Sequence, residues 1–129
     1  MTDNHKYSDV TELIINCYYR VYNTLGYGFL EKVYEKAMII EMEEQGLVCL
    51  RQCPIDVFYK SQVVGFYLAD IIVNGKIIIE IKAAEELSYA HETQLTNYLK
   101  ATEIEVGLLL NFGKKPDFRR RVFSSEYKS

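Results

Sequence analysis

The sequence contains no tryptophan, only two prolines, and three cysteines, Cys17, Cys49 and Cys53, which form no C-x-x-C pair. An odd number of cysteines argues against a disulfide framework. A structural zinc site needs about four closely spaced Cys or His ligands, and none are grouped in this way. No apolar run approaches the roughly 18 residues of a membrane span, and residues 1–9 lack the apolar core of a signal peptide. We therefore expect a cytoplasmic chain with reduced cysteines and no membrane contact.

The chain also lacks an excess of positive charge, since 15 Lys and Arg face 18 Asp and Glu, for a net charge of −3. From residue 114 to the end, however, six basic residues face two acidic ones, which leaves +4 there and −7 elsewhere. Such an asymmetry is found at edges that face phosphates, and also in solvated C-terminal tails. The first interpretation makes candidate nucleic-acid contacts of Lys114, Lys115, Arg119 and Arg120.

The length and periodicity predict a single domain over residues 1–129. Apolar residues recur with helical spacing in two N-terminal segments, which Gly26 and Gly28 separate, and a strand-like alternation follows Gly46. The predicted helices are 7–25, 29–45 and 88–101, the predicted strands are 54–60, 63–73, 76–82 and 106–112, and an edge strand over 118–123 is left open. The order ααβββαβ, with or without a last β, indicates an α/β fold with a mixed sheet flanked by helices.

Three charged residues, Asp70, Glu80 and Lys82, interrupt the apolar runs of two predicted strands. Burying an unpaired charge costs several kcal/mol or shifts its pKa. Two carboxylates about 5 Å apart repel by roughly 3 kcal/mol at an effective dielectric near 20, and a divalent cation between them reverses this. Carboxylate oxygens suit Mg²⁺ or Mn²⁺. An internal ion pair of Lys82 with Asp70 or Glu80 explains the charges equally well, and spacing alone favours neither.

The turn between these strands decides whether the charges meet. Side chains two apart share a face of a strand, so Glu80 and Lys82 point the same way. A two-residue turn at Asn74-Gly75 would place Asp70 on the opposite face. A three-residue loop over 73–75, with Gly75 left-handed, pairs Asp70 with Ile78, one diagonal step from Glu80. If the charges form one site, we therefore expect three loop residues or an equivalent bulge.

The spacing of Asp70 and Glu80-Ile81-Lys82 resembles the PD-(D/E)xK nuclease superfamily, although Ala69 stands where that motif has its proline. The resemblance implies that Asp70 and Glu80 bind a metal ion, Mg²⁺ or Mn²⁺. The backbone carbonyl of Ile81 would be a further ligand. Lys82 would position the attacking water and offset charge on the phosphate.

Two further stretches strengthen the resemblance. Gly28, Glu31 and Tyr34 match the G-x-x-E-x-x-Y signature of a small family within that superfamily, and Gln94 and Tyr98 resemble the Q-x-x-x-Y element of the RecB-like nucleases. With them the resemblance extends from about residue 19 to residue 123 and implies a restriction-endonuclease-like fold. We expect Tyr34 to pack in the core and Gly28 to meet a backbone requirement.

Two of these motif residues keep alternative interpretations. The resemblance implies that Glu31 is a helix-borne acidic ligand of the metal, whereas its position near a helix start also suits the N3 residue of a capping box with Gly28. Gln94 and Tyr98 share one helix face, and the resemblance places them beside the metal and in contact with nucleic acid. The alternative is a surface glutamine and a half-buried tyrosine.

The resemblance implies metal-dependent hydrolysis of phosphodiester bonds in DNA. So small a chain with an acidic total charge is also expected to need a homodimer or a protein partner to hold its substrate. The opposing hypothesis is a non-catalytic module that binds nucleic acid or protein. An open pair of carboxylates would favour the enzyme, and a closed ion pair with Lys82 would favour the module.

Overall fold

The computed structural model describes residues 6–128. The helices are α1 (Ser8–Leu25), α2 (Glu31–Glu44) and α3 (Tyr89–Lys100), with a short 3₁₀ turn at Ser125–Tyr127. The strands are β1 (Cys49–Tyr59), β2 (Gln62–Val73), β3 (Ile77–Lys82), β4 (Val106–Phe112) and β5 (Pro116–Val122). The predicted α/β fold is confirmed, and the last strand, which the sequence left open, is present. Within the described residues, no helix is long and apolar enough to cross a membrane.

The five strands form one mixed sheet in the order β1-β2-β3-β4-β5. Only β3 and β4 are parallel, and α3 makes the crossover that a parallel pair requires. These two central strands are buried along their whole length except at Lys82, which is partly exposed. Their continuous runs of Ile and Leu are typical of strands that are covered on both faces.

Helices cover both faces of the sheet. On one face α1 and α2 pack against a cluster that includes Ile71, Ile79 and Ile81, and on the other α3 packs against Ile78 and Leu109. Odd and even positions of β3 therefore serve different cores, as the alternation of a strand dictates. Glu80, an even position, belongs to the face that α3 covers.

Tyr34 and Gly28 have structural roles, as expected. The buried Tyr34 ring stacks on Phe112 with centroids 4.1 Å apart. Its hydroxyl donates to the Gly26 carbonyl at 2.7 Å and accepts from the Phe29 N–H at 3.1 Å, which ties the loop between α1 and α2 to the core. In that loop Gly28 has φ of 111°, a conformation that side chains oppose.

The turn between β2 and β3 has three loop residues, but they are Asn74, Gly75 and Lys76 rather than the predicted 73–75. Asn74 and Gly75 both have positive φ, 53° and 64°, and the Lys76 N–H donates to the Val73 carbonyl at 2.9 Å. Because Asn74 and Gly75 both adopt the left-handed conformation, the third loop residue is Lys76, which follows them, and not Val73, which precedes them.

The shift of the loop changes the partner of Asp70. The pairs that run from the turn are Val73 with Ile77, Ile72 with Ile78, and Ile71 with Ile79. Ile78 therefore pairs with Ile72, so the predicted pairing of Asp70 with Ile78 is wrong, and the same register extended by one position aligns Asp70 with Glu80. The two carboxylates nevertheless share a site, as predicted, because the observed loop and the predicted loop both contain three residues.

On the N-terminal side of Ile71, β2 no longer pairs with β3 and pairs only with β1. Residues 54–68 therefore form a projecting hairpin, here called the arm, which turns at Lys60 and Ser61 with φ of 50° and 65°. Its outer face, away from α3, carries a row of exposed apolar side chains that includes Phe66 and Leu68.

Candidate active site

Asp70 and Glu80 meet where β2 and β3 separate. The Asp70 N–H donates to Glu80 Oε2 at 2.9 Å, and the Ile81 N–H donates to Asp70 Oδ2 at 2.8 Å. The regular ladder has ended at Ile71 and Ile79, so each carboxylate takes over a main-chain donor that the ladder no longer uses. The carboxylates are thereby held chiefly by backbone groups, and Asp70 has one further contact, with the Gln52 side chain.

A local break in β2 turns Asp70 toward this position. Ala69 packs in the cluster under α3, whereas Ile71 packs in the cluster under α1 and α2. Residues two apart in a regular strand share a face, so β2 changes face at Asp70. Across from it, Gln52 has φ of 53° and is passed over in the pairing of β1 with β2. An irregularity of this kind re-aims side chains beside many active sites.

The Glu80 side chain is only 5 % exposed. Burial, and then the charge of Asp70, raise the pKa of Glu80 to about 8, while an N–H bond from Asp70 and the charge of Lys82 oppose the rise. Within residues 6–128, no donor forms a hydrogen bond to Glu80 Oε1. A buried carboxyl group with a free oxygen beside a second carboxylate is costly to ionise, and a bound cation would offset that cost.

Lys82 lies on the same face as Glu80 and is partly exposed. In the described part of the chain it forms no ion pair within 4.0 Å of either carboxylate. The closed ion pair is therefore not the arrangement of the metal-free protein. Beyond Lys82, the Asn111 side chain accepts from the Ala84 N–H at 2.9 Å and donates to the Ala84 carbonyl at 3.0 Å. This pair of bonds holds the chain that follows Lys82.

Glu31 is the first residue of α2 and its side chain is exposed. The capping-box interpretation is wrong, because the N-cap is Leu30 and Glu31 therefore stands at N1 instead of N3. A contact of Glu31 with a metal stays a prediction. The first turn of α2 is near the surface because the residues before it, the exposed Phe29 and Leu30, form an outer loop.

The carboxylate of α2 that reaches the site is Glu35, which the sequence analysis missed. Glu35 is 4 % exposed and pairs with the Arg51 Nε at 2.6 Å. Gln52 Nε2 donates to both oxygens of Glu35 at 3.1 Å and lies 3.4 Å from Asp70 Oδ1. One available signal was spacing, since Glu35 falls on the same helical stripe as the buried Met38.

The residues present fit a hard divalent cation, although they do not form a complete cage. Among residues 6–128, no group of three or more His, Cys, Asp or Glu side chains is arranged to hold a metal ion. Asp70 and Glu80 nevertheless offer carboxylate oxygens, and the main chain at Ile81 adds a carbonyl. Magnesium is commonly bound by one or two carboxylates, with waters and substrate phosphates as the other ligands.

Tyr98 and Gln94 lie on α3, at the same side of the sheet as Glu80. Tyr98 is buried, and burial together with the charges of Glu80 and Asp70 raises the pKa of its hydroxyl to about 12. Gln94 is half-buried on the same helix face. The structure therefore places Tyr98 within electrostatic range of the carboxylates. Contact of either residue with nucleic acid stays a prediction.

Comparison with known proteins identifies the family. A family model described as the PD-(D/E)XK nuclease superfamily matches residues 8–122. The chain belongs to this superfamily. Its fold is also similar to that in the crystal structure of SSO0001, with a TM-score of 0.54 and 19 % sequence identity. That match covers 91 % of this chain but 59 % of the other, so the chain spans about three-fifths of that protein's length. Comparison with curated proteins finds no significant match.

In this member of the superfamily, the four basic candidates do not share one surface. The Lys114–Lys115 pair is exposed in the turn between β4 and β5. Arg119 points toward α3, with its Nε 3.9 Å from a carboxylate oxygen of Glu92. Arg120 points to the opposite face and donates to the Lys6 carbonyl at 2.5 Å. Neighbouring residues of a strand face opposite ways, so a run of basic letters does not make a basic face.

A wide groove opens between the arm and α3. Its volume is about 1060 Å³, and Tyr67, Tyr98 and Gln94 are among its lining residues. Tyr98 therefore lines the groove and also lies within electrostatic range of the two carboxylates, which themselves are not among the lining residues.

Proposed function

We propose that this protein is a metal-dependent nuclease that hydrolyses phosphodiester bonds in DNA. One observation carries the proposal: where β2 and β3 separate, backbone N–H groups hold Asp70 and Glu80 together, and within residues 6–128 no lysine forms an ion pair with either. Glu80 is buried beside the partly buried Asp70, and a cation there would offset the several kcal/mol that an unpaired buried carboxylate costs. Membership of the nuclease superfamily agrees with this use of the pair.

Each residue of the candidate active site would have its own role in this reaction. Asp70, Glu80 and the Ile81 carbonyl would hold Mg²⁺ or Mn²⁺, with Glu31 a further candidate ligand. Bound there, the ion would supply a Lewis acid and lower the pKa of a coordinated water. Lys82 would orient that water and stabilise negative charge that develops on the phosphate. Gln94 would hold the substrate or the lysine.

We further infer that the chain is a member of the G-x-x-E-x-x-Y family within the superfamily. The support is that Gly28 and Tyr34 of the signature have definite structural tasks, a left-handed backbone and a buried anchor for the loop before α2. A cytoplasmic location stays a prediction, as does a homodimer or protein partner. The exposed apolar row of the arm's outer face is the first surface on which to look for such a partner.

The test is a cleavage assay in Mg²⁺ and in Mn²⁺, with single-stranded, duplex, flapped and four-way DNA and with RNA. Lys82→Ala is compared with the wild type, and Lys76→Ala in the exposed turn is the matched control. We expect metal-dependent cleavage that Lys82→Ala abolishes and Lys76→Ala leaves intact. Cleavage that persists in Lys82→Ala would point to a contaminant. No cleavage of any substrate, at high protein concentration and in both metals, would favour the non-catalytic binding module instead.

A further inference from the structure

The groove between the arm and α3 has aromatic walls. Tyr67 and Phe58 line it from the arm, and their side chains are 49 % and 62 % exposed. The Tyr67 ring lies 5.5 Å from the Tyr98 ring, centroid to centroid, at an interplanar angle of 44°. Exposed aromatic side chains that line a groove together suit a ligand with its own flat, apolar faces.

The opposite wall of the groove offers amide groups. Gln94 and Asn97 line it from α3, and the Asn97 side chain is exposed. Side-chain amides can donate to and accept from the edges of bases, while aromatic rings stack on base faces. A groove with both features suits bases that are not already paired and stacked within a duplex.

The charge of the groove argues against a duplex. Two acidic residues, Asp56 and Glu103, balance the two lysines, Lys100 and Lys128, among its lining residues. The Lys128 ammonium is moreover engaged internally, since it donates to the Thr102 and Ile104 carbonyls at 2.7 and 2.6 Å. Duplex DNA presents about one negative charge per 1.7 Å of axis, and its binding depends largely on neutralising phosphates. A groove without net positive charge has to bind by stacking.

We propose that this groove binds a single strand of DNA, with unpaired bases stacked on Tyr67 and Phe58 and the strand leading toward Asp70 and Glu80. This substrate class rests on the proposed nuclease function, because Tyr98 lines the groove and is the lining residue on which the charges of Glu80 and Asp70 act. Its size, about 1060 Å³, is at the upper end of small-molecule pockets and leaves room for more than one base. The proposal thus gives the arm a task that the cleavage chemistry does not require of it.

The proposal is tested by binding in EDTA, where no metal-dependent cleavage occurs. The probe is a fluorescent ten-nucleotide DNA of mixed sequence, single-stranded or annealed to its complement, and the readout is the Kd from anisotropy. Removal of a stacking aromatic costs about 1–3 kcal/mol per base, which is about a 5- to 140-fold rise in Kd. We expect a rise in this range for the single strand in Tyr67→Ala and in Phe58→Ala. Tyr67→Phe should retain wild-type affinity.

Phe66 provides the matched control. It is the neighbour of Tyr67 on β2, is 60 % exposed, and points to the outer face of the arm. Phe66→Ala should therefore bind the single strand as the wild type does, and thermal melting of each variant checks that it is folded. Equal losses in Phe66→Ala and Tyr67→Ala, no loss in Tyr67→Ala and Phe58→Ala, tighter binding of the duplex, or tighter binding of an RNA strand of the same sequence would each overturn the proposal.

The design separates this proposal from the nuclease function. Lys76→Ala should bind the single strand as tightly as the wild type, since Lys76 lies in the exposed turn between β2 and β3 and does not line the groove. Specific single-strand binding through Tyr67 without any cleavage in Mg²⁺ or Mn²⁺ would support the groove and overturn the enzyme. Cleavage without dependence of binding on Tyr67 or Phe58 would support the enzyme and overturn the groove.

Discussion

The main chain of Asp70 holds the side chain of Glu80, through an N–H bond of 2.9 Å to Oε2. The Asp70 side chain in turn accepts from the main chain at Ile81, the residue after Glu80. Each of the two carboxylates is thus oriented by the backbone that carries the other. A site built this way is organised before any ligand arrives, because the shortest bonds that direct the two carboxylates come from the backbone.

The raised pKa of Glu80 predicts an unusual pH dependence of stability in the metal-free protein. An ordinary glutamate in the unfolded chain ionises near pH 4.5, whereas Glu80 in the fold ionises near 8. Between these values the folded state binds the extra proton, so the free energy of unfolding falls as the pH rises. One pKa unit corresponds to about 1.4 kcal/mol, so a decline of a few kcal/mol is expected.

Urea unfolding in EDTA at pH 5, 6, 7 and 8 measures this decline. Glu80→Gln cannot ionise and should flatten it, while Glu31→Gln, an exposed control, should not. A wild type whose stability is constant or rises over this interval would contradict the raised pKa.

Divalent metal should stabilise the protein more at high pH than at low pH. A metal binds the ionised carboxylate and competes with the proton on Glu80, so its effect grows as that proton leaves. At a concentration of 100 times the Kd, the expected gain is about 2.7 kcal/mol. Differential scanning fluorimetry with Mg²⁺ or Mn²⁺ at pH 6 and pH 8 checks this. Asp70→Asn should abolish the shift, and an equal shift in that variant would place the metal elsewhere.

Gln52 is predicted to support the site at a cost in backbone strain. It bridges Glu35 and Asp70 from a left-handed conformation with φ of 53°. Gln52→Ala removes the bridge and keeps the strain, whereas Gln52→Gly removes both. The glycine variant should therefore be more stable than the alanine variant by about 1 kcal/mol.

Both Gln52 variants should lose kcat with little change in KM, because Asp70 loses a neighbour that orients it while the substrate contacts remain. Urea unfolding and steady-state cleavage kinetics give the two readouts. An alanine variant as stable as the glycine variant would show that the backbone at Gln52 is unstrained.

Tyr34→Phe should destabilise the fold by about 1–3 kcal/mol. The change removes a hydrogen bond to the Gly26 carbonyl and one from the Phe29 N–H, while it keeps the stacking on Phe112. Tyr27→Phe, at an exposed position of the same loop, should stay within about 0.5 kcal/mol of the wild type. Chemical denaturation of the three proteins measures the difference, and equal stability of Tyr34→Phe and the wild type would remove the anchoring role.

Local sequence patterns predicted most of the fold and the two carboxylates at the centre of the candidate site. The order of helices and strands followed from periodicity, and the three-residue loop followed from requiring Asp70 and Glu80 to meet. The loop itself was misplaced by one residue, because Asn74 and Gly75 are both left-handed and the sequence analysis assigned that conformation to Gly75 alone. The sequence analysis also did not identify the capping box that His91 closes with Ser88 at the start of α3.

The sequence by itself determined the α/β order, the D…ExK spacing and the face shared by Glu80 and Lys82, since each depends on residues close along the chain. The tertiary structure alone decided that Glu35, Gln52 and Asp70 meet, because they come from α2, β1 and β2. It also separated Arg119 from Arg120, and it opened the groove that Tyr67 and Tyr98 share. The tertiary structure also decided the raised pKa of Glu80, because burial is a property of the packed molecule and not of the strand that carries the residue.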